Sequence, residues 1–207
     1  MPVPKDIRPL WDALQQQVLG IHFSWDTYRD IFAKSAEQIE ILNRCAPNFF
    51  YVAQHAIIND VQLNLARLAE THTRSSATLE RLIQEISRVE PKGPLAEWRK
   101  ALIDYREKCE QIMLRRHKTL AHSDHDNLLS QYGLNAAATP LPGPSRQEIE
   151  EALLSLREFM NLIGQYFGRG ITVYDLKFQY GDAETMLSIL KGHFGKASQE
   201  EGVLSTV

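Results

Sequence analysis

Leu114-Arg115-Arg116-His117-Lys118-Thr119-Leu120-Ala121-His122-Ser123-Asp124 closes a run of helix-forming residues that begins near Pro94. With Trp98 as reference and about 100° of turn per residue, Leu102, Tyr105, Cys109, Ile112, Met113 and Leu120 fall within about 60° of one line. That alignment marks a core-facing helical stripe. Arg116 falls at its centre, where the pattern would otherwise take another leucine. A guanidinium keeps its charge and is costly to desolvate, so at this position it requires a partner or an interface. His122 follows six residues later, where the helical pattern gives way to Ser123-Asp124-His125-Asp126-Asn127.

Outward from this stretch the chain reads as a succession of helices. Residues 7–21 form a first, with Pro9 tolerated in a first turn that has spare N–H groups. Ser24 is the expected N-cap of a second through Asn43, carrying Trp25, Tyr28, Ile31, Phe32, Ile39 and Leu42. Pro47 opens a third to about Thr71, with Ile57, Val61, Leu65 and Leu68 as its core stripe and Asp60, Asn64 and Arg67 along its edge. Ser75 or Ser76 is expected to cap a fourth, Ala77 to Val89, ended by Pro91-Lys92-Gly93-Pro94. The fifth, Leu95 to about Ala121, carries the opening motif.

The stretch from Asp124 to Ser145, with Gly133, Pro140, Pro142, Gly143 and Pro144, is long for a connection inside a compact domain. It reads as a functional loop or a partly disordered one. Ser145-Arg146-Gln147-Glu148 has the capping-box arrangement and starts a sixth helix to about Phe167. Thr172 to Tyr180 alternates weakly, as an extended segment does. Asp182 caps a short last helix to about Phe194, and the tail from Lys196 has too little apolar content to stay ordered by itself. The expectation is an all-α bundle of about six to seven helices. Its parts are a bundle over 1–167, an extension over 168–195 and a tail over 196–207. Internal repeats, low-complexity tracts and Gly-rich phosphate loops are absent from the sequence.

The 207 residues are 43% hydrophobic and 24% charged, ordinary for a soluble globular protein. A net charge of −3 excludes a generally basic nucleic-acid binder and leaves room for a local basic patch. Such a patch is present: Arg99, Lys100, Arg106, Lys108, Arg115, Arg116 and Lys118 face three acids in the same run, a local excess of +4. The sixth helix is acidic in contrast, with Glu148, Glu150, Glu151 and Glu158. Two cysteines in apolar helical settings imply no disulfide scaffold and fit a reducing compartment. Met-Pro-Val-Pro-Lys-Asp lacks a charged-then-apolar signal pattern, and no apolar run approaches the ~18 residues of a membrane span. A cytoplasmic protein without membrane contact is expected.

The run Arg116-His117-Lys118-Thr119-Leu120-Ala121-His122 resembles the signature of HEPN domains, in which an arginine followed by a polar residue precedes a histidine. Here five residues intervene, and His117 holds the polar position. The wording Arg-His-Lys-x-x-Ala-His-Ser-Asp is similar to the abortive-infection, AbiU-type branch. So are Trp25…Tyr28…Phe32, Leu42-Asn43, Asn48-Phe49-Phe50 and Ala66-Arg67-Leu68-Ala69-Glu70. The resemblance covers roughly residues 7 to 165.

It implies a helical bundle that dimerises and brings two Arg/His motifs into one cleft. It also implies a metal-independent ribonuclease used in phage defence or a toxin–antitoxin pair. Cleaving RNA internally needs a base for the ribose 2′-OH, an acid for the leaving 5′-oxygen and a fixed cation on the phosphorane oxygens. His122 suits either proton task near neutral pH, and Arg116 supplies the planar permanent charge. His117 and Asp124, with Arg115 and Lys118, are the supporting or phosphate-binding candidates. The alternatives are a non-catalytic HEPN module that binds nucleotides, RNA or a partner protein, and one half of a two-gene defence system.

The residue types carry their bland readings too. Arg116 also fits a structural ion pair, with Asp60 or another acid of the bundle. On an unbroken helix Arg116 and His122 stand about 120° apart, whereas Arg115 and His122 share a face, so either Arg115 works or Arg116 acts across the dimer; Arg116 is preferred for its stripe position and Arg115 is the reserve. His117, His122 and His125 match no standard zinc spacing and lack a fourth ligand; neither metal nor cofactor is expected. Cys109, on the stripe, reads as packing.

Overall fold

The computed structural model describes residues 2–71, 76–120, 143–174 and 182–204, the side chains of 119–120 and 194–204 excepted. It is all-helical, and among the described residues no strand occurs. The α-helices are α1 (Arg8–Phe32), α2 (Ala36–Cys45), α3 (Pro47–Ala69), α4 (Leu79–Val89), α5 (Leu95–Lys108), α6 (Glu110–Arg115), α7 (Arg146–Tyr166) and α8 (Ala183–Leu204). A π-helical turn, Arg116–Leu120, follows α6 directly. No helix among the described residues is long and apolar enough to cross a membrane. The chain divides into two compact units, 1–22 with 59–174 and 23–58 with 175–207.

The first unit holds the motif. Its core takes Ile7 from the turn before α1, Trp11, Leu14, Val18 and Ile21 from α1, Val61, Leu65 and Leu68 from α3, and Leu79, Leu82 and Ile86 from α4. The motif stripe is there as well: Trp98, Leu102, Tyr105, Cys109 and Ile112 are all buried. α5 packs against α7, which buries Ile149, Leu153, Leu156, Phe159, Met160 and Ile163, and against α4. Each set recurs at three- and four-residue steps, so one face of every helix is removed from water.

Ser145 and Glu148 form the expected capping box: the Glu148 amide donates to Ser145 Oγ at 3.1 Å, and the Ser145 amide to the Glu148 carboxylate at 2.6 Å. α7 ends in a Schellman motif around Gly168, whose φ of +68° suits glycine. There the Gly168 amide donates to Gln165 O and the Arg169 amide to Gly164 O, both at 2.9 Å.

The motif helix differs from the single helix expected from 95 to 121. At Cys109 (φ −91°, ψ 1°) the chain tightens, its amide shared between the Tyr105 and Arg106 carbonyls at 3.1 Å. The stripe keeps its phase across the break, because the Met113 amide still reaches Cys109 O at 2.8 Å. The Tyr105 hydroxyl donates to Leu65 O at 2.7 Å, tying α5 to α3. Burial pushes the Cys109 thiol up to about 12. At pH 8 roughly 10⁻⁴ of it would be thiolate. Cys45 is exposed. Iodoacetamide should therefore modify one thiol of the native protein quickly and the second only after denaturation; equal rates at both, followed by mass spectrometry, would contradict the buried placement.

Two caps move from their expected positions. α1 runs through Gly20 and Ser24 to Phe32 because its apolar phase continues without a shift, Ile21 to Trp25 to Tyr28 to Phe32. The cap of the next helix is Ser35, which accepts from the Gln38 amide at 3.2 Å. For α4 the cap is Thr78, not Ser75 or Ser76: it immediately precedes the first buried leucine and accepts from the Arg81 amide at 3.2 Å.

After α7 the chain is tethered by side chains. Asn161 Nδ2 donates to Thr172 O at 3.2 Å, the Thr172 amide donates to Asn161 Oδ1 at 2.8 Å, and Gln15 reaches Thr172 Oγ1 at 3.2 Å. Tyr174, buried, stacks on His22 with centroids 5.1 Å apart. The expected extended segment beyond Tyr174 (175–180) lies outside the described residues. Asn161→Ala should destabilise the protein by about 1–2 kcal/mol and release the Thr172 amide to fast hydrogen exchange. Unchanged exchange at Thr172 would refute this tether.

In the second unit, Leu42, Phe50 and Leu187 form a small core with Ile31, Phe32, Ile39 and Met186 around it, and α2 packs on α8. Lys34 bridges Asp30 at 2.9 Å and Glu184 at 2.6 Å, and the hydrogen bond to Glu184 raises its pKa above the ordinary lysine value. Asp182 caps α8 as expected, accepting from the Thr185 amide at 2.8 Å and its hydroxyl at 2.9 Å. The amide bond holds the Asp182 carboxyl below the usual range. α8 extends to Leu204, past the expected end at Phe194.

Candidate functional site

The site is built at the end of α6. Arg115 is the last residue of that helix, and Arg116, His117 and Lys118 open the π-helical turn. A π turn inserts one extra residue between hydrogen-bonding partners, so it shifts the phase of every side chain after it. The even spacing of an unbroken helix therefore does not continue through this turn. His117 and Lys118 are exposed, and Arg115 and Arg116 are half-buried. His122, Asp124 and His125, and most of the irregular stretch before Ser145, lie outside the described residues.

Arg116 has the partner that its place in the core stripe demands. Its Nη1 forms an ion pair with Glu70 Oε1; the two side chains are 20% and 29% exposed. Asp60, the acid named for this role from the sequence, instead accepts from Asn64 Nδ2 at 2.9 Å. Arg116 Nε is buried with no hydrogen-bond partner among the described residues.

Glu70 immediately follows α3, where helix carbonyls lack intrahelical partners and a cation is favoured. Arg106 serves that end. Its Nε donates to Ala69 O at 2.8 Å and its Nη2 to Glu70 O at 3.1 Å, with the Glu80 carboxylate 2.9 Å from Nη2. Two guanidinium groups thus converge on the end of one helix, one on the backbone there and one on the carboxylate that follows it.

Arg115 lies elsewhere. A Cβ built on Gly143 would collide with its guanidinium, so this side chain rests against the backbone where the chain returns toward α7. Its Nε, too, is buried without a partner among the described residues.

The basic run is partly neutralised. Arg106 pairs with Glu80, Lys108 with Glu151 at 2.7 Å, and Arg116 with Glu70. The hydrogen bond to Glu151 raises the Lys108 pKa, and the same bond lowers that of Glu151. Arg99, Lys100 and Lys118 stay exposed. Among the described residues no cluster of His, Cys, Asp and Glu could hold a metal ion.

Glu70 and Arg106 were missed as site residues from the sequence. Their role depends on which helices meet, and the only local hint was the demand of Arg116 for a counter-charge.

No curated protein and no solved structure matches the chain. The family model for AbiU2, a HEPN family, matches residues 5–186 and so spans the motif, both arginines and Glu70. With its all-helical fold and an arginine set into the core stripe six residues before a histidine, the chain belongs to the AbiU2 family of HEPN-type abortive-infection domains.

Proposed function

We propose that this protein is a metal-independent endoribonuclease of the cytoplasm, acting in phage defence or as the toxin of a toxin–antitoxin pair. The observation that carries the reading is Arg116: a permanent cation held in a core stripe at a π turn, 20% exposed, with His122 in the same run. A fixed, partly desolvated guanidinium suits the charge that develops on phosphorane oxygens. His122 takes the proton of the ribose 2′-OH or delivers one to the leaving 5′-oxygen. The 2′-oxygen attacks phosphorus, the P–O5′ bond breaks, and the products carry 2′,3′-cyclic phosphate and 5′-OH ends. A homodimer supplies two such motifs, so that one histidine serves as base and the other as acid. His117, Lys118, Arg115 and Asp124 support phosphate binding or the orientation of His122. An antitoxin or another defence protein would restrain the activity.

A second reading draws on the same ion pair. An arginine already held by Glu70 needs no histidine to bind phosphate, which suits a non-catalytic module for nucleotides, RNA or a partner protein. The test is cleavage of mixed-sequence RNA in EDTA by the wild type, Arg116→Ala and His122→Ala, beside an all-deoxy substrate. Cyclic-phosphate ends that vanish in both variants and on DNA support the nuclease. A folded protein that binds RNA without cutting it supports the binding module.

A further inference from the structure

We propose that Glu70 is a positioning residue for Arg116: it holds the guanidinium by one end and acts on RNA only through it. The proposal rests on the reading of Arg116 as a phosphate-facing group. Three observations carry it. Glu70 is not a loose residue at a helix end, because Arg106 grips both its carbonyl (3.1 Å) and that of Ala69 (2.8 Å) while paired with Glu80. Its backbone is therefore anchored beside Arg116.

The ion pair engages Arg116 Nη1, and a guanidinium carries five N–H donors, so others remain for an anion. Both partners also keep contact with water, at 20% and 29% exposure, so a ligand can approach the pair. The third observation is Arg116 Nε, buried and without a hydrogen-bond partner among the described residues. The pair fixes the side chain through Nη1, and no described residue takes up Nε. Glu70 also adds a negative charge beside the phosphate position, so it orients Arg116 at the expense of ground-state attraction.

These two effects have opposite signs and can be separated. Glu70→Gln keeps the shape and removes the charge. It should lower kcat by about ten- to a hundredfold, as misplacement of a catalytic group does, while KM stays unchanged or falls. In an Arg116→Ala background the same change should have no further effect on kcat, within about twofold, because residues acting as one unit are not additive. A further multiplicative loss in that background, or an unchanged kcat in the single variant, overturns the proposal. Thermal melts of all four proteins establish that each is folded.

Binding of an all-deoxy oligonucleotide, which lacks the reacting 2′-OH, reads the same coupling without cleavage. Glu70→Gln should tighten it several-fold when Arg116 is present and leave it unchanged when Arg116 is alanine. If the wild type binds DNA but cuts no RNA, the nuclease reading fails and this arm alone decides Glu70. A tightening that is independent of Arg116, or no binding by the wild type, rejects the positioning role.

Discussion

If the protein is the proposed ribonuclease, Arg116→Ala is expected to lower RNA cleavage by about 10²–10³-fold, the usual consequence of removing one preorganised group from a developing oxyanion. Its effect on stability should be small by comparison. The variant leaves Glu70 without its counter-charge, yet that carboxylate is 29% exposed and reaches water. Partly exposed pairs contribute about 1 kcal/mol or less. Activity and stability should therefore separate: cleavage nearly lost, the melting temperature shifted by a few degrees at most. Arg116→Lys keeps the charge and loses the planar fork, so it should fall between wild type and alanine. The assay is the initial rate of cyclic-phosphate formation in EDTA, paired with a thermal melt. A wild-type rate in Arg116→Ala would remove this arginine from the chemistry and return attention to Arg115.

Trp98→Ala is expected to be the most damaging single change in the first unit, costing about 3–5 kcal/mol. The indole is fully buried where α5 meets α7. Its ring meets Tyr166 edge-on, with centroids 5.2 Å apart and planes at 80°, and lies 6.4 Å from Phe167. Before α5, the chain passes so close that a Cβ on Gly93 would stand 2.9 Å from the ring. Against a total stability of about 5–15 kcal/mol, the loss removes a large fraction.

Trp98→Phe should cost much less than its lost volume implies. The indole N–H is buried without a partner among the described residues, and phenylalanine removes that donor along with the ring atoms. Urea titration followed by circular dichroism measures both variants. An unchanged midpoint for Trp98→Ala would mean that the α5–α7 contact does not hold the bundle together.

The motif stripe shows how much was legible in the residues alone. Trp98, Leu102, Tyr105, Cys109 and Ile112 recur at three- and four-residue steps, and burial of that face follows from helix geometry without reference to the rest of the chain. The Ser145–Glu148 box is equally local, a side chain and an amide three residues apart. The oddity of Arg116 was legible in the same way, because a charge in an apolar stripe needs an answer wherever it occurs.

What answers it was decided by tertiary structure. Glu70 lies just past the end of another helix, 46 residues earlier. Periodicity states which face of a helix turns inward, and it says nothing about which residue of a neighbouring helix will stand opposite. The same holds for Arg106 at the end of α3 and for Arg115 against Gly143. The π turn, too, escaped a reading based on one uniform angle per residue. Local spacing thus determined the helices and the demand for a counter-charge; helix packing chose the carboxylate that meets it, since ion pairs form between surfaces that only the assembled core brings together.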